Sequence, residues 1–169
     1  RLFIYVAEVA KTETWAPKVV LSRKRAEMVP AVFAEFVPEI GEGIITIDKV
    51  VRQAGVKTKM LVSSTFEEID AVGTLIGQKG MRVKSVMEEI GGEKIDIIPN
   101  SDDMGEIIKK SLSPAEVIRV EIDEDEMYAK AYINASERAR AVGKNGLNVH
   151  LAASLTWYKI SIEDIEETK

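Results

Sequence analysis

The feature that most constrains this chain is a repeated four-residue motif. Gly77-Gln78-Lys79-Gly80 returns 66 residues later as Gly143-Lys144-Asn145-Gly146, two glycines around two polar residues. Each tetrad follows a short apolar run, Val72 to Ile76 in one copy and Ala139 to Val142 in the other. In the same register Asp70 aligns with Ser136, both good N-cap residues, and each is expected to start a helix of about two turns. Self-similarity at a fixed spacing marks a duplicated structural unit.

The surroundings repeat as well. Met81, Val83, Val86, Met87 and Ile90 are spaced for one buried helical face, as are Leu147, Val149, Leu151, Ala152 and Leu155. Gly91-Gly92 gives a glycine stop to the first of these helices. A strand is predicted after each, over 94–98 and 159–162. Upstream, 44–51 and 58–62 read as strands joined through Gln53-Ala54-Gly55. Residues 117–122 and 127–133 read as a hairpin around the acidic run Asp123 to Glu126, with alternating apolar positions. Each copy opens on an amphipathic helix: Val29, Val32, Phe33, Phe36 and Val37 in one, with Pro30 suited to the first turn, and Met104, Ile107, Ile108 and Leu112 in the other, with Pro114 just beyond its end. Both copies therefore read αββααβ. This is an α+β chain of two modules, 24–100 and 101–169, each a three-stranded sheet packed on helices. The link from Pro99 to Gly105 is too short for free tumbling, so the modules are expected at a fixed mutual angle. Residues 1–23 read as two strands, Leu2 to Val6 and Val19 to Leu21. Two strands alone are marginal in water, so they are expected to complete a sheet begun upstream, and the chain to begin inside a longer protein.

Composition excludes much chemistry. Without cysteine there are no disulfides, thiolate zinc sites or cysteine nucleophiles, and His150, the one histidine, cannot make a multi-histidine metal site. No run approaches the ~18 apolar residues of a membrane helix. The acidic run lacks the glycine and distal glutamate of a calcium loop, the glycine spacing of 73–79 is not that of a P-loop, and Gly41-Glu42-Gly43 lacks the third glycine of a dinucleotide fingerprint. No catalytic constellation is present, so the chain is read as a non-enzyme without cofactor or metal. The net charge is −5, but whole-chain charge says little about local fields. Residues 1–23 carry a net +2, 24–100 a net −2 and 101–169 a net −5. Within the last segment, Arg138, Arg140 and Lys144 outweigh Glu137 across 137–155.

Glycines at both ends of a helix-to-helix turn remove Cβ atoms and tolerate unusual dihedrals. The free N–H groups at the start of the second helix then lie open to an approaching phosphate, with the helix dipole favouring its charge. Lys79 and Lys144 sit inside the turns.

A helix-GxxG-helix within an αββααβ frame resembles the type II KH domain, whose loop clamps about four nucleotides of single-stranded nucleic acid. The wording resembles the bacterial NusA family of transcription factors still more closely. The matching stretches are Val72 to Gly80, Gly91 to Ile97, Leu112 to Val117, and Ala141 to Gly146 with Asn148-Val149 and Leu151-Ala152. Val20 to Arg23 and Val37 to Ile40 look like that family's junction between an S-one-type OB-fold and its first KH domain, which makes 1–23 the end of an OB-fold. The resemblance covers essentially the whole chain. It implies a cytoplasmic, monomeric factor that binds single-stranded nascent RNA and modulates transcription elongation, pausing, termination and antitermination. Contacts with the RNA polymerase elongation complex would lie mainly in domains outside this sequence, and no membrane is involved. By resemblance, Gly77, Gln78, Lys79 and Gly80, with Gly143, Lys144, Asn145 and Gly146, hold the RNA backbone. Ile76, Val83, Val142 and Val149 form apolar groove floors. Met81, Arg82, Lys84, Arg138, Arg140 and Asn148 add polar or base-edge contacts. His150 stands at the groove edge where the family often has arginine, a weaker phosphate contact. The alternative function is a KH-framed protein-interaction module docking on polymerase, a ribosomal protein or an acidic tail. A ribosome-associated KH protein is a third, disfavoured by the tandem modules.

Overall fold

The computed structural model describes residues 2–12 and 15–165; the expected ends of the outer segments, at Arg1 and at 166–169, lie outside them. Strands β1 (Tyr5–Ala10) and β2 (Lys18–Ser22) form an antiparallel two-stranded sheet. The first module then runs α1 (Met28–Phe36), α2 (Pro38–Gly41), β3 (Ile45–Gln53), β4 (Lys57–Ser64), α3 (Ala71–Ile76), α4 (Met81–Glu89) and β5 (Lys94–Pro99). The second runs α5 (Met104–Ser111), β6 (Val117–Asp123), β7 (Tyr128–Ile133), α6 (Arg138–Val142), α7 (Leu147–Thr156) and β8 (Lys159–Asp164). In each module the first two strands pair antiparallel, and the third pairs parallel with the second. A parallel pair needs a crossover connection. Here that crossover is the helix-GxxG-helix, so the duplicated motif lies on the connection that closes each sheet.

The helical spacings are borne out as core faces except at Met81, which opens α4 with its side chain on the surface. In α1, Val29, Val32 and Phe33 are fully buried against Ile45, Met60 and Val62 of the sheet and Leu75 and Val86 of the crossover. In the second module Ile108 and Leu112 pack on Ala129, Ala131 and Ile133, every other residue of β7, and on Ala152 of α7. Helix α4 ends at Gly91 and Gly92, both at positive φ (93° and 81°), with the Gly92 N–H donating to Met87 O at 2.7 Å. Four further expectations change. The first strand runs Tyr5–Ala10, three residues later than Leu2 to Val6. The single turn α2 follows α1, where Pro38 sets its first residue. Asp70 holds the N-cap position of α3, but its carboxylate takes no capping hydrogen bond. Ser136 is not a cap: the extended Asn134 (ψ 143°) opens a 3-10 turn over Ala135–Glu137, and α6 starts after it.

The modules share a packed boundary. The sheet face of the first module that its own helices leave uncovered lies under α5 and α7, with Ile98 meeting Ile107 and Leu155, flanked by Val51, Leu61 and Met104. Polar groups fix the register. Lys49 Nζ donates to Ser154 O (2.6 Å) and Leu155 O (2.8 Å), at the carbonyl end of α7. Lys59, with no exposed side-chain surface, reaches Asp96 at 2.5 Å and Ser113 O at 3.1 Å. Burial lowers the Lys59 ammonium pKa to about 8, against the opposing pull of the Asp96 charge. Lys57 joins Asp96 (2.8 Å) and Asn148 Oδ1 (3.0 Å).

A second buried pair anchors the segment before α1. Arg52 and Glu93, 2% and 0% exposed, form a fork, with Nε to Oε1 and Nη2 to Oε2 both at 2.9 Å. Glu93 also accepts from the Gly55 N–H (2.8 Å) and the Thr58 hydroxyl, and Arg52 Nη1 donates to the carbonyls of Arg23 (2.9 Å) and Arg25 (2.7 Å). Arg23 in turn donates to the carbonyls of Phe3 and Glu89, tying the N-terminal sheet to the end of α4. Burial alone would raise the Glu93 pKa; the hydrogen bonds from Arg52, Thr58 and Gly55 and the Arg52 charge outweigh it, and the net shift is down. The pair's stabilisation is thus complete above the unfolded carboxyl value of 4.5 and is lost as pH falls through the lower native value.

Glu93→Ala leaves the Arg52 charge buried and unpaired, and is expected to cost about 3–5 kcal/mol by urea unfolding at neutral pH. The gap from wild type should narrow as pH is lowered from about 6 to about 3. A loss under about 1 kcal/mol, or a gap that widens in acid, would contradict this assignment.

Candidate nucleic-acid interface

The two loops have the same backbone. Gly77 and Gly143 lie at φ 74°, ψ 173° and φ 76°, ψ 172°, a region open essentially to glycine alone. Lys79 and Asn145 share φ 53–54° and ψ 27–28°, and Gly80 and Gly146 are left-handed at φ 74° and 75°. Non-glycine residues occupy that left-handed region rarely, yet both loops place one there. Each last glycine bonds back to the first, N–H to O at 3.0 and 3.1 Å. The turn is thereby closed on itself ahead of the helix it feeds.

The two glycines of a loop do different work. A Cβ on Gly77 would lie 2.7 Å from Arg82 Cγ, and one on Gly143 would lie 2.7 Å from Asn148 Cβ and 2.9 Å from its backbone nitrogen. The same Cβ on Gly80 or Gly146 meets nothing within 4 Å. The first glycine is a packing requirement; the last faces open space.

Arg82 and Asn148 occupy equivalent positions and act as equivalent latches. Arg82 Nη1 donates to Thr74 O (3.0 Å) and pairs with Glu39 (3.0 Å). Asn148 Nδ2 donates to Arg140 O (3.2 Å), Ala141 O (3.0 Å) and Leu112 O (3.0 Å). Each latch holds the helix before its loop to the helix after it. The expectation of a base contact from Asn148 therefore meets a side chain 4% exposed, with its amide donors and its oxygen already engaged. Arg82 is half-buried and occupied in the same way. The Glu39 carboxyl pKa is lowered by its own backbone N–H, against burial, and further by Arg82.

The other expected residues surround the loops. Gln78, Lys79, Lys144 and Asn145 are loop residues, with both lysines exposed. Met81 is exposed beside the first loop, as is His150 one turn beyond the second. Lys84 is exposed, 3.9 Å from Glu88. Arg138 pairs with Asp164 (3.0 Å) on exposed surface, where such pairs are weak, and the exposed Arg140 pairs with the mostly covered Glu137 (2.9 Å). Of the apolar floor positions, Val83, Val142 and Val149 are partly buried against the module cores and Ile76 is exposed. A cleft crosses the module boundary beside the first crossover, with Val72, Ile97 and Pro99 on one wall and Lys109, Lys110 and Ser113 on the other. Sequence reading missed this wall, as well as the boundary role of Lys57, Lys59 and Asp96. No local signal marked these lysines, since alternate charged positions of a strand read as a solvent-facing row and only α5 and α7 cover that face. Among the described residues no cluster suited to a metal ion occurs, and no helix is long and apolar enough to cross a membrane.

The glycine roles separate by stability. Gly80→Ala strains only the left-handed backbone, at about 1 kcal/mol. Gly77→Ala adds a clash with a flexible arginine. Gly143→Ala clashes with the Asn148 backbone, which cannot move aside, and is expected to cost the most, above about 2 kcal/mol. Chemical denaturation of the three variants checks the order; equal losses would contradict it.

Known proteins share this arrangement. Residues 23–100 match the NusA-like first KH domain and residues 104–169 the NusA-like second KH domain. Over all 169 residues the chain is 36% identical to the transcription termination/antitermination protein NusA of Halalkalibacterium halodurans, covering 44% of that protein. It is 45% identical over 147 residues, 86% of the chain, to the protein of the same name from Borreliella burgdorferi, covering 30% of it. The Bacillus subtilis protein is 36% identical over 163 residues, 96% of the chain and 44% of that protein. The chain spans less than half the length of these relatives. The crystal structure of APE1850 has a TM-score of 0.58, covering 82% of this chain and 97% of its own at 20% identity, which is a likeness of fold. With the two domain matches in series from residue 23 to the end, the chain belongs to the NusA family and carries its tandem KH domains.

Proposed function

We propose that this chain is a single-stranded RNA-binding segment, without catalytic activity, of a cytoplasmic factor that modulates transcription elongation, pausing, termination and antitermination. The observation that carries the reading is the pair of matching GxxG loops: each opens a last glycine to space and an exposed lysine to solvent at the start of a helix. Its relatives are named for termination and antitermination, and the share of their length outside this chain is where contacts with the polymerase elongation complex would lie.

In this reading Lys79 and Lys144 take phosphates, and the side-chain-free Gly80 and Gly146 let the RNA backbone come close. Val83, Val142 and Val149, with Ile76 and Met81, offer apolar surface to bases. Arg82 and Asn148 position the loops rather than touch RNA. Arg138 and Arg140 would have to exchange carboxylates for phosphates, so their contribution is smaller than that of the loop lysines. Two loops at about four nucleotides each accommodate roughly eight nucleotides.

The test converts either loop to Gly-Asp-Asp-Gly (Gln78→Asp with Lys79→Asp, or Lys144→Asp with Asn145→Asp) and measures affinity for an unstructured oligonucleotide by fluorescence anisotropy. Each double variant is expected to weaken binding at least tenfold while unfolding like wild type. Lys79→Ala or Lys144→Ala should each lower the slope of log affinity against log salt by about 0.7, one single-strand phosphate contact. Unchanged affinity in both double variants would remove the groove assignment. Binding to a polymerase subunit or ribosomal protein with no RNA affinity would favour the protein-docking function.

A further inference from the structure

A crevice that the loops themselves do not account for begins at the second loop and runs along α7. Its first part, a cavity of about 430 Å³, has Gln53 and Val56 of the first module on one side and Lys144, Asn145, Leu147 and His150 on the other. A second cavity of about 530 Å³ continues from His150 past Lys49 and Val51 to Trp157 and Lys159. His150 lines both, so the two adjoin along α7 beside β3. Ten helical residues make it about 15 Å long.

Its electrostatics set it apart. Among the described residues the lining includes Lys49, Lys144, Lys159 and His150 and no carboxylate, in a chain of net charge −5. The cleft at the first loop carries Glu39, Glu68 and Asp70, the one across the module boundary Asp70, Glu106 and Glu116, and the one beside β6 Glu121 and Asp123. At the far end of the crevice the Lys159 N–H donates to Met127 O (2.9 Å), next to the acidic turn between β6 and β7.

At that end stands Trp157. The residue is 74% exposed, and its backbone is left-handed (φ 65°, ψ 11°) at the C-cap of α7. A bulky residue there is strained where glycine or asparagine would not be, and no burial offsets the strain. Lys49 Nζ sits 3.7 Å from the ring centroid while bonded to the α7 carbonyls. A lysine fixed by the module boundary therefore holds the ring. A held, solvent-exposed aromatic ring beside basic side chains has the properties of a stacking platform for nucleobases.

We propose that single-stranded RNA leaving the second GxxG loop continues through this crevice and stacks a base on Trp157, extending the site beyond the two loops. This rests on the RNA-binding reading of the loops. The test compares an oligonucleotide of about eight nucleotides, enough for the two loops, with one of about twelve. Trp157→Gly suits it because glycine relieves the left-handed backbone and so preserves the fold, which a melting temperature at or above that of wild type confirms. The expected result is an affinity loss of about tenfold for the longer RNA and no change for the shorter. Trp157 fluorescence, read in a Trp15→Phe background, should be quenched by the longer RNA alone. Equal binding of both lengths by Trp157→Gly and wild type, with loop variants still defective, overturns the crevice and leaves the loop reading intact. Failure of wild type to bind either RNA overturns both. Quenching of Trp157 by polyglutamate and not by RNA overturns the proposal in favour of an acidic peptide.

Discussion

The polar knot at the module boundary fixes everything on either side of it. Lys57 and Lys59 project from β4 into a face that α5 and α7 cover, and a buried ammonium must be paired or lose its proton. Asp96 answers both lysines, Ser113 O takes a hydrogen bond from Lys59, and Asn148 accepts from Lys57. Because these partners come from β4, β5, the end of α5 and the start of α7, only one seating of the modules satisfies them together. Apolar contact between Ile98, Ile107 and Leu155 supplies burial without direction; the knot supplies the register.

Asn148 makes this more than an interdomain contact. The same amide that accepts from Lys57 donates to the last carbonyls of α6 and to Leu112 O. The conformation of the second loop is thus coupled to the seating of the first module. In the first module the equivalent position is Arg82, which makes the helix-to-helix latch but pairs with Glu39 instead of a neighbouring module. Duplication kept the loop backbone to within a few degrees and changed what braces it. The sheets diverged in parallel: one outer face is a domain boundary, while the other carries Arg119 stacked on Tyr132 (3.7 Å), both engaged with Glu121.

Most of the fold was legible because the repeat disciplined the reading. Either GxxG alone is a weak sign, but two in register with apolar spacings such as Val29-Val32-Phe33 and Ile107-Ile108-Leu112 fixed the element order. Legibility failed where long-range partners decide. Nothing local says that Ser136 yields its capping place to Asn134. Asn148 looks like any exposed polar residue after a loop until Leu112, Ala141 and Lys57 surround it. Lys57 and Lys59 alternate as solvent-facing strand residues do, and only the second module's helices make that face an interior. Trp157 carried no sequence signal, since its place depends on a lysine more than a hundred residues away.

The absence of cysteine permits a direct measurement of the central claim, that the boundary holds the two loops in one fixed relation. Spin labels on Lys79→Cys and Lys144→Cys report the loop-to-loop distance distribution by double electron–electron resonance. A single narrow distance that broadens when Asp96→Ala is added is the predicted result. A broad distribution in the otherwise unaltered chain, or one indifferent to Asp96, would contradict it.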